Sequence, residues 1–288
     1  MRILITGRDG QLGRELGRVL PALGDVIALD RAGLDLTDSD AISNRVRLFK
    51  PNVIINAAAY TAVDAAERDR EGAFAVNARG PAVLAEEARR LGALLVHFST
   101  DYVFDGEKDG PYREDDLPRP INVYGESKLA GEKALEASGC RRLVLRLSWV
   151  YGARGRNFLL TMLRLAEERR EIRVVDDRVG APTWCRTIAL ATRDLVRGDF
   201  DDQTPLLHLA AGGDTSWFTF ACAIFDSTRP MWKRQLKVIP VPSTAYPSAA
   251  RRPRNSRLNT DLLEYQLGRG LPHWKEELAL CLADLSDS

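Results

Sequence analysis

The chain has 288 residues, 45% of them hydrophobic, enough to bury one large core or a core with an attached lobe. Its 41 basic and 40 acidic residues are spread along the chain and sum to +1, which leaves no electrostatic footprint for nucleic acid or an anionic membrane. No apolar run approaches the ~18 residues of a bilayer span, and the chain enters a strand pattern at once without signal-peptide features, so a cytoplasmic protein is expected.

Residues 2–6, RILIT, form a short apolar run of the kind found in strands buried on both faces. It leads into Gly7, Gly10 and Gly13 and then an amphipathic stretch to about Leu23. Strand, glycine turn and helix suit a pyrophosphate. Gly7 allows the tight turn, Gly10 lets the backbone approach the phosphates, and Gly13 lets the helix pack on its strand. The next strand, residues 26–29, ends at Asp30, where an acid can bind the adenosine ribose hydroxyls and favours NADH. Arg31 beside it can face a 2′-phosphate instead, so NADPH and NADH both stay open. Asp35 and Leu36 fit a strand end bordering the adenine, with Thr37 and Asp38 as helix caps.

Residues 53–56 read as a third buried strand, followed by Ala57, Ala58, Ala59, Tyr60 and Thr61. Small residues at a strand's C-terminal end let a flat ligand pass close to the backbone, although packing against a helix would use them too. A helical segment at about 70–91 leads to a fourth strand at 94–98, and this alternation predicts a doubly wound parallel sheet. That strand runs into Ser99, Thr100 and Asp101, whose hydroxyls can hydrogen-bond and polarise a carbonyl or merely cap a strand end. Residues 111–120, rich in proline and acid, read as a loop or lid.

Tyr124 and Lys128 follow, four residues apart and so on one face of a helix. A phenol titrates near ~10, and an adjacent cation favours its phenolate. Lys128 is therefore expected to tune Tyr124 for acid–base work and to hold the ribose of a bound nucleotide. The four cysteines and three histidines are scattered, with no close pair to suggest a metal or redox site.

The glycine turn, STDYVF at 99–104 and the Tyr124–Lys128 pair together resemble the extended short-chain dehydrogenase/reductase superfamily. Longer strings narrow this: NAAAYTAVD at 56–64, NVYGESKLAGE at 122–132, RLSWVY at 146–151, GAPT at 180–183 and NSRL at 255–258 resemble the dTDP-4-dehydrorhamnose reductases. The resemblance implies an NAD(P)H-dependent reduction of a 4-keto sugar nucleotide. Tyr124 would be the proton donor, Lys128 would position the nicotinamide ribose, Thr100 and Asp101 would contact the sugar, and Trp149 would line its pocket. Gly10, Gln11, Leu12, Asp30, Asp35, Leu36, Ala59, Tyr60 and Thr61 would contact the cofactor. Some members dimerise around Mg²⁺ held by glutamates; Glu15 matches the first, but Arg186 stands at the second, so a monomer or a homodimer without a metal bridge is expected.

Beyond about residue 150 the pattern is less regular, with helices near 157–170, 183–196 and 274–285 and a strand near 172–175. We expect residues 1–150 to form the nucleotide-binding core and 151–288 a smaller substrate-binding lobe that does not fold alone. Arg251, Arg252, Arg254 and Arg257 make one cationic cluster, so Arg254 and Asn255 are candidates for a diphosphate, and Asn157 for the thymine. The competing readings are a nucleotide-sugar epimerase or dehydratase, which recycles its cofactor, and a non-catalytic NADP-binding regulatory subunit.

Overall fold

Six short apolar segments pair into one parallel sheet in the computed structural model, which describes residues 1–198, 205–229 and 236–286. They are β1 (Arg2–Thr6), β2 (Asp25–Leu29), β3 (Val53–Asn56), β4 (Leu94–Thr100), β5 (Arg142–Leu147) and β6 (Leu206–Leu209), in spatial order β6-β5-β4-β3-β1-β2. Alternate side chains along each strand enter different layers. Ile3 and Ile5 join Leu12 and Leu16 of α1 (Gln11–Val19) with Ile188 and Leu195 further along. Leu4 and Ile54 join Ile42 and Val46 of α2 (Ser39–Phe49) and Leu84 and Ala88 of α3 (Gly80–Leu91). Both faces of the sheet are covered, as an all-parallel sheet requires.

From β1 the chain turns one way to β2 and then crosses to β3 on the other side, so the strand order reverses between β1 and β3. A crevice opens past the C-terminal ends of strands at such a point. The turn after β1 is closed by Gly10 N–H donating to Gly7 O at 3.0 Å. Gly7 has φ +72°, and a Cβ at Gly13 would lie 2.0 Å from Gly7 O, so this turn and the seating of α1 both require glycine.

Three local expectations change. Asp35 and Leu36 are not in a strand; Asp35 accepts from Thr37 N–H and Oγ1–H in a polar turn, and Asp38 caps α2 through Ala41 N–H. The segment expected as one helix at 70–91 is interrupted by a π-helical turn over Ala75–Arg79. The stretch 111–120 is an anchored loop: Tyr112 bridges Leu258, its ring stacks on Phe104 at 4.1 Å, and its carbonyl meets His208 Nδ1 at 3.1 Å. Nothing there is shaped as a free flap.

The second half has its own core. Leu159 and Met162 of α5 (Phe158–Glu168), Phe220 and Ile224 of α7 (Trp217–Thr228), and Trp274 and Leu278 of α8 (Trp274–Ser286) pack with Tyr151, Ile172 and Trp184. Yet α6 (Cys185–Arg197) lies on α1, and β6 completes the sheet, so residues beyond 150 build part of the half that carries the glycine turn.

Candidate active site

The crevice is about 740 Å³ and runs from the glycine turn, across the ends of β1, β3 and β4, to a wall made by Trp149 and Trp217. Of the residues singled out from the sequence, Gly7, Gly10, Gln11, Leu12, Asp30, Asp35, Leu36, Ala59, Tyr60, Thr61, Thr100, Asp101, Tyr124, Lys128 and Trp149 line it. Gly13 does not; it lies beneath the turn.

At the end expected to take the adenosine, Asp30 is engaged on both oxygens. Oδ1 accepts from Gly33 N–H at 2.8 Å, and Oδ2 is ion-paired with Arg8. Arg31 donates to Asp35 at 3.1 Å. Two half-exposed or exposed guanidiniums thus flank the acid expected to read the ribose. Arg8 was not foreseen from the sequence, because a residue inside a glycine turn reads as filler until Asp30 is placed beside it. The helix N-terminus above the turn has no side-chain cap, which leaves its N–H groups free for an anion.

At the reacting end, Tyr124 is the second residue of α4 (Val123–Ser138), whose start is fixed by Asn122 accepting from Gly125 N–H at 2.8 Å. Tyr102 packs edge-on against the Tyr124 ring at 5.6 Å. Burial pushes the Tyr124 phenol up, and a hydrogen bond with Thr100 pulls the other way. This corrects the expectation that Lys128 favours the phenolate. The Lys128 amine is turned to His97, 3.1 Å from Nε2, and burial brings its own pKa down to about 8. The phenol is therefore held as a proton donor at neutral pH.

Thr100 is buried at the end of β4, where it accepts from Tyr102 N–H and lies 3.0 Å from Asp101 Oδ1. Asp101 is buried, with Oδ2 unpartnered, and burial raises its carboxyl to about 6 against hydrogen bonds from Ser256 and Thr100. Trp149 sits at φ +46°, a conformation a bulky residue adopts only when its surroundings hold it there. Its indole stacks on Trp217 at 3.6 Å with 9° between planes. Trp217 was missed in the sequence; the aromatic run WFTF at 217–220 was the available signal. Asn77, in the π-helical turn, was missed too: it accepts from Tyr60 N–H at 2.8 Å and donates to Ser127 Oγ at 2.9 Å, tying the alanine-rich strand end to α4.

Two candidates are spent on structure. Asn157 caps α5 by accepting from Leu160 N–H, while its Nδ2 donates to Gln11 Oε1 and Gly152 O, both at 2.8 Å. Asn255 donates to Lys108 O and Gly110 O and accepts from Arg257 N–H and Nε–H. An amide has two donor hydrogens and one carbonyl oxygen, so neither keeps much capacity for a ligand. The cap and the clamp account for both side chains in this structure. In the cationic cluster, Arg252 pairs with Asp64 and Arg257 with Asp214. Arg254 is exposed and without a side-chain partner among the described residues, but it stands outside the crevice lining.

A switch-point crevice with a glycine turn at one end and a Tyr–Lys helix at the other defines the extended short-chain dehydrogenase/reductase class. A family model described as the RmlD substrate binding domain matches residues 1–287. The chain belongs to the dTDP-4-dehydrorhamnose reductase family. It is 46% identical to the dTDP-4-dehydrorhamnose reductase of Burkholderia thailandensis over 99% of each chain. It is 43% identical to that of Escherichia coli K12, over 99% of this chain and 98% of the relative. The Bacillus anthracis dTDP-4-dehydrorhamnose reductase, solved in complex with NADP, superposes with a TM-score of 0.93 at 36% identity, covering 98% of this chain and 99% of that one. Among the described residues no helix is long and apolar enough to cross a membrane.

Proposed function

We propose that this protein reduces the C4 keto group of dTDP-4-dehydro-β-L-rhamnose to give dTDP-L-rhamnose, with NAD(P)H as reductant. The observation that carries the reading is the meeting of the Tyr124 phenol and Thr100 hydroxyl on the floor of the crevice that begins at the glycine turn. The residues fit a dinucleotide: the uncapped start of α1 is suited to a pyrophosphate. NAD(P)H, when bound, supplies the hydride. Thr100 holds and polarises the keto oxygen, and Tyr124 delivers a proton to it as negative charge develops. Lys128 orients the ribose beside Tyr124, Asp101 accepts from a sugar hydroxyl, and the Trp149–Trp217 pair walls the sugar site against water. Arg8 and Arg31 offer a 2′-phosphate two cations, which favours NADPH over NADH. Arg254 meets the diphosphate where it leaves the crevice.

Mixing the protein with NADPH and dTDP-4-dehydrorhamnose should consume cofactor in step with dTDP-L-rhamnose. Isomerised sugar without net loss of NADPH would instead identify an epimerase.

We also propose that this chain forms no metal-bridged dimer. Glu15 does not fit a cation site, because Arg186 pairs with it and donates to Asp284 at 3.0 Å, with Arg18 also 3.6 Å from both acids. Solution mass should be the same in Mg²⁺ and in a chelator.

A further inference from the structure

Lys128 is anchored from behind by a buried row of side chains that no reactive group touches. Its Nζ lies 3.1 Å from His97 Nε2; His97 Nδ1 lies 3.0 Å from Asn56 Nδ2; Asn56 Oδ1 accepts from Thr6 Oγ1 at 2.7 Å. Thr6 Oγ1 also accepts from Ala58 N–H at 3.3 Å. The row crosses β1, β3 and β4 and ends on α4. All four side chains are at most 1% exposed, so bulk water cannot supply substitute partners.

The hydrogen-bond logic of the row is restrictive. A neutral imidazole has one N–H and one lone pair, an ammonium only donates, and an amide presents either its NH₂ or its oxygen. With Asn56 Nδ2 facing Nδ1, the ring proton belongs on Nε2, and Lys128 must then offer a lone pair, as a neutral amine. When Lys128 is an ammonium, Nε2 must be bare and Nδ1 must carry the proton. Asn56 then turns its oxygen to the ring by a half-turn of its amide, and Thr6 accepts where it had donated.

We propose that His97 is a positioning residue of the active site, whose tautomer, selected together with the Asn56 amide and Thr6, seats Lys128 and follows its charge. On loss of the ammonium, the pair releases one proton to the crevice. The ring keeps one proton throughout and changes only the nitrogen that bears it. Burial, and secondly the Lys128 charge, hold His97 neutral, so the ring does not compete for the proton.

The other charged groups near Lys128 are already engaged. Glu132, on the same helix, favours the ammonium but is held by Arg146 of β5 at 3.0 and 2.7 Å and by Ser99 of β4 at 2.5 Å. Arg70 pairs with Glu126 on the outer face of α4, and Tyr124 and Asp101 face the crevice with Thr100. His208 makes the contrast. Its Nδ1 faces a carbonyl at 3.1 Å and its Nε2 faces Arg146 at 3.4 Å, partners that cannot reverse roles, so its tautomer is fixed.

The test is ¹⁵N-histidine NMR of the whole protein without substrate, with His97 assigned by its loss in His97→Gln. His97 should be protonated on Nδ1 near pH 6.5 and on Nε2 above the Lys128 transition near 8, while His208 keeps its proton on Nδ1 throughout. A single His97 tautomer across that range would overturn the proposal. In the reductase assay, His97→Leu should move the alkaline limb of kcat/KM down by about one to two pH units, because the ammonium loses its neutral acceptor. His97→Gln, whose amide can turn either way, should keep the limb in place. An unmoved limb in His97→Leu would equally sink it. The NMR arm needs neither turnover nor a folded His97→Leu variant, so a failure of the reductase reading is distinguishable from a failure of this one.

Discussion

The two ends of the crevice recruit their residues differently. At the nucleotide end, backbone does much of the work: a glycine turn, a bare helix start and three alanines after β3, all local to one or two strands. At the sugar end, side chains gather from β4, α4, the segment after β5 and the start of α7, and polar groups nearby are consumed holding those pieces together. Beside the second end Asn255 is spent on holding loops, while Asp101 in the crevice keeps Oδ2 unpartnered.

Removing the chemistry while sparing the architecture gives the largest effect. Tyr124→Phe should cut kcat by ~10²-fold or more and leave NADPH affinity within about threefold, measured by steady-state turnover and fluorescence titration. Retained turnover would take Tyr124 out of the mechanism.

Lys128→Met sharpens the contrast, because it should lose activity and gain stability together. The folded pKa of Lys128, about 8, lies below its ordinary 10.5, so the folded state binds its proton less readily than the unfolded chain. Below pH 8 the buried ammonium costs on the order of 3 kcal/mol, and the wild type should become more stable as pH rises from about 8 towards 10.5. The variant should therefore melt several degrees higher at pH 7, an advantage that vanishes near pH 10.5. Equal melting at pH 7 would show that the ammonium sits there at no cost.

Asn255→Ala and Arg254→Ala are neighbours with opposite expectations. The first breaks the clamp on the 105–116 loop and should destabilise by roughly 2–3 kcal/mol, read by denaturant unfolding. The second should barely change stability but raise the sugar-nucleotide KM about tenfold if Arg254 meets the diphosphate. A reversed pattern would move the substrate site. The smallest effect belongs to Arg8→Ala, which should lower the NADPH-to-NADH preference by roughly five- to tenfold in kcat/KM.

What the sequence disclosed follows the same divide. The glycine turn, the parallel sheet and the Tyr124–Lys128 spacing are set by residues within a few positions of one another, so pattern alone exposes them. His97 behind Lys128, Arg8 beside Asp30, Trp217 on Trp149 and the Asn255 clamp join residues 22 to 147 positions apart, and only chain crossings create them. The phenol's shift was misjudged for the same reason. Spacing places Lys128 on Tyr124's side of the helix, but burial and the histidine on β4 decide where the charge goes.

The edge strand Leu206–Leu209 carries a consequence for anyone who would exchange sugar specificities between relatives. A chimera cut near residue 150 would trade away that strand with the donor's lobe, and a mismatched replacement would leave the backbone of β5 unpaired along an open, sticky border. Grafts confined to the crevice wall, such as the stretches carrying Trp149 and Trp217, keep that border sealed and are the safer units of recombination.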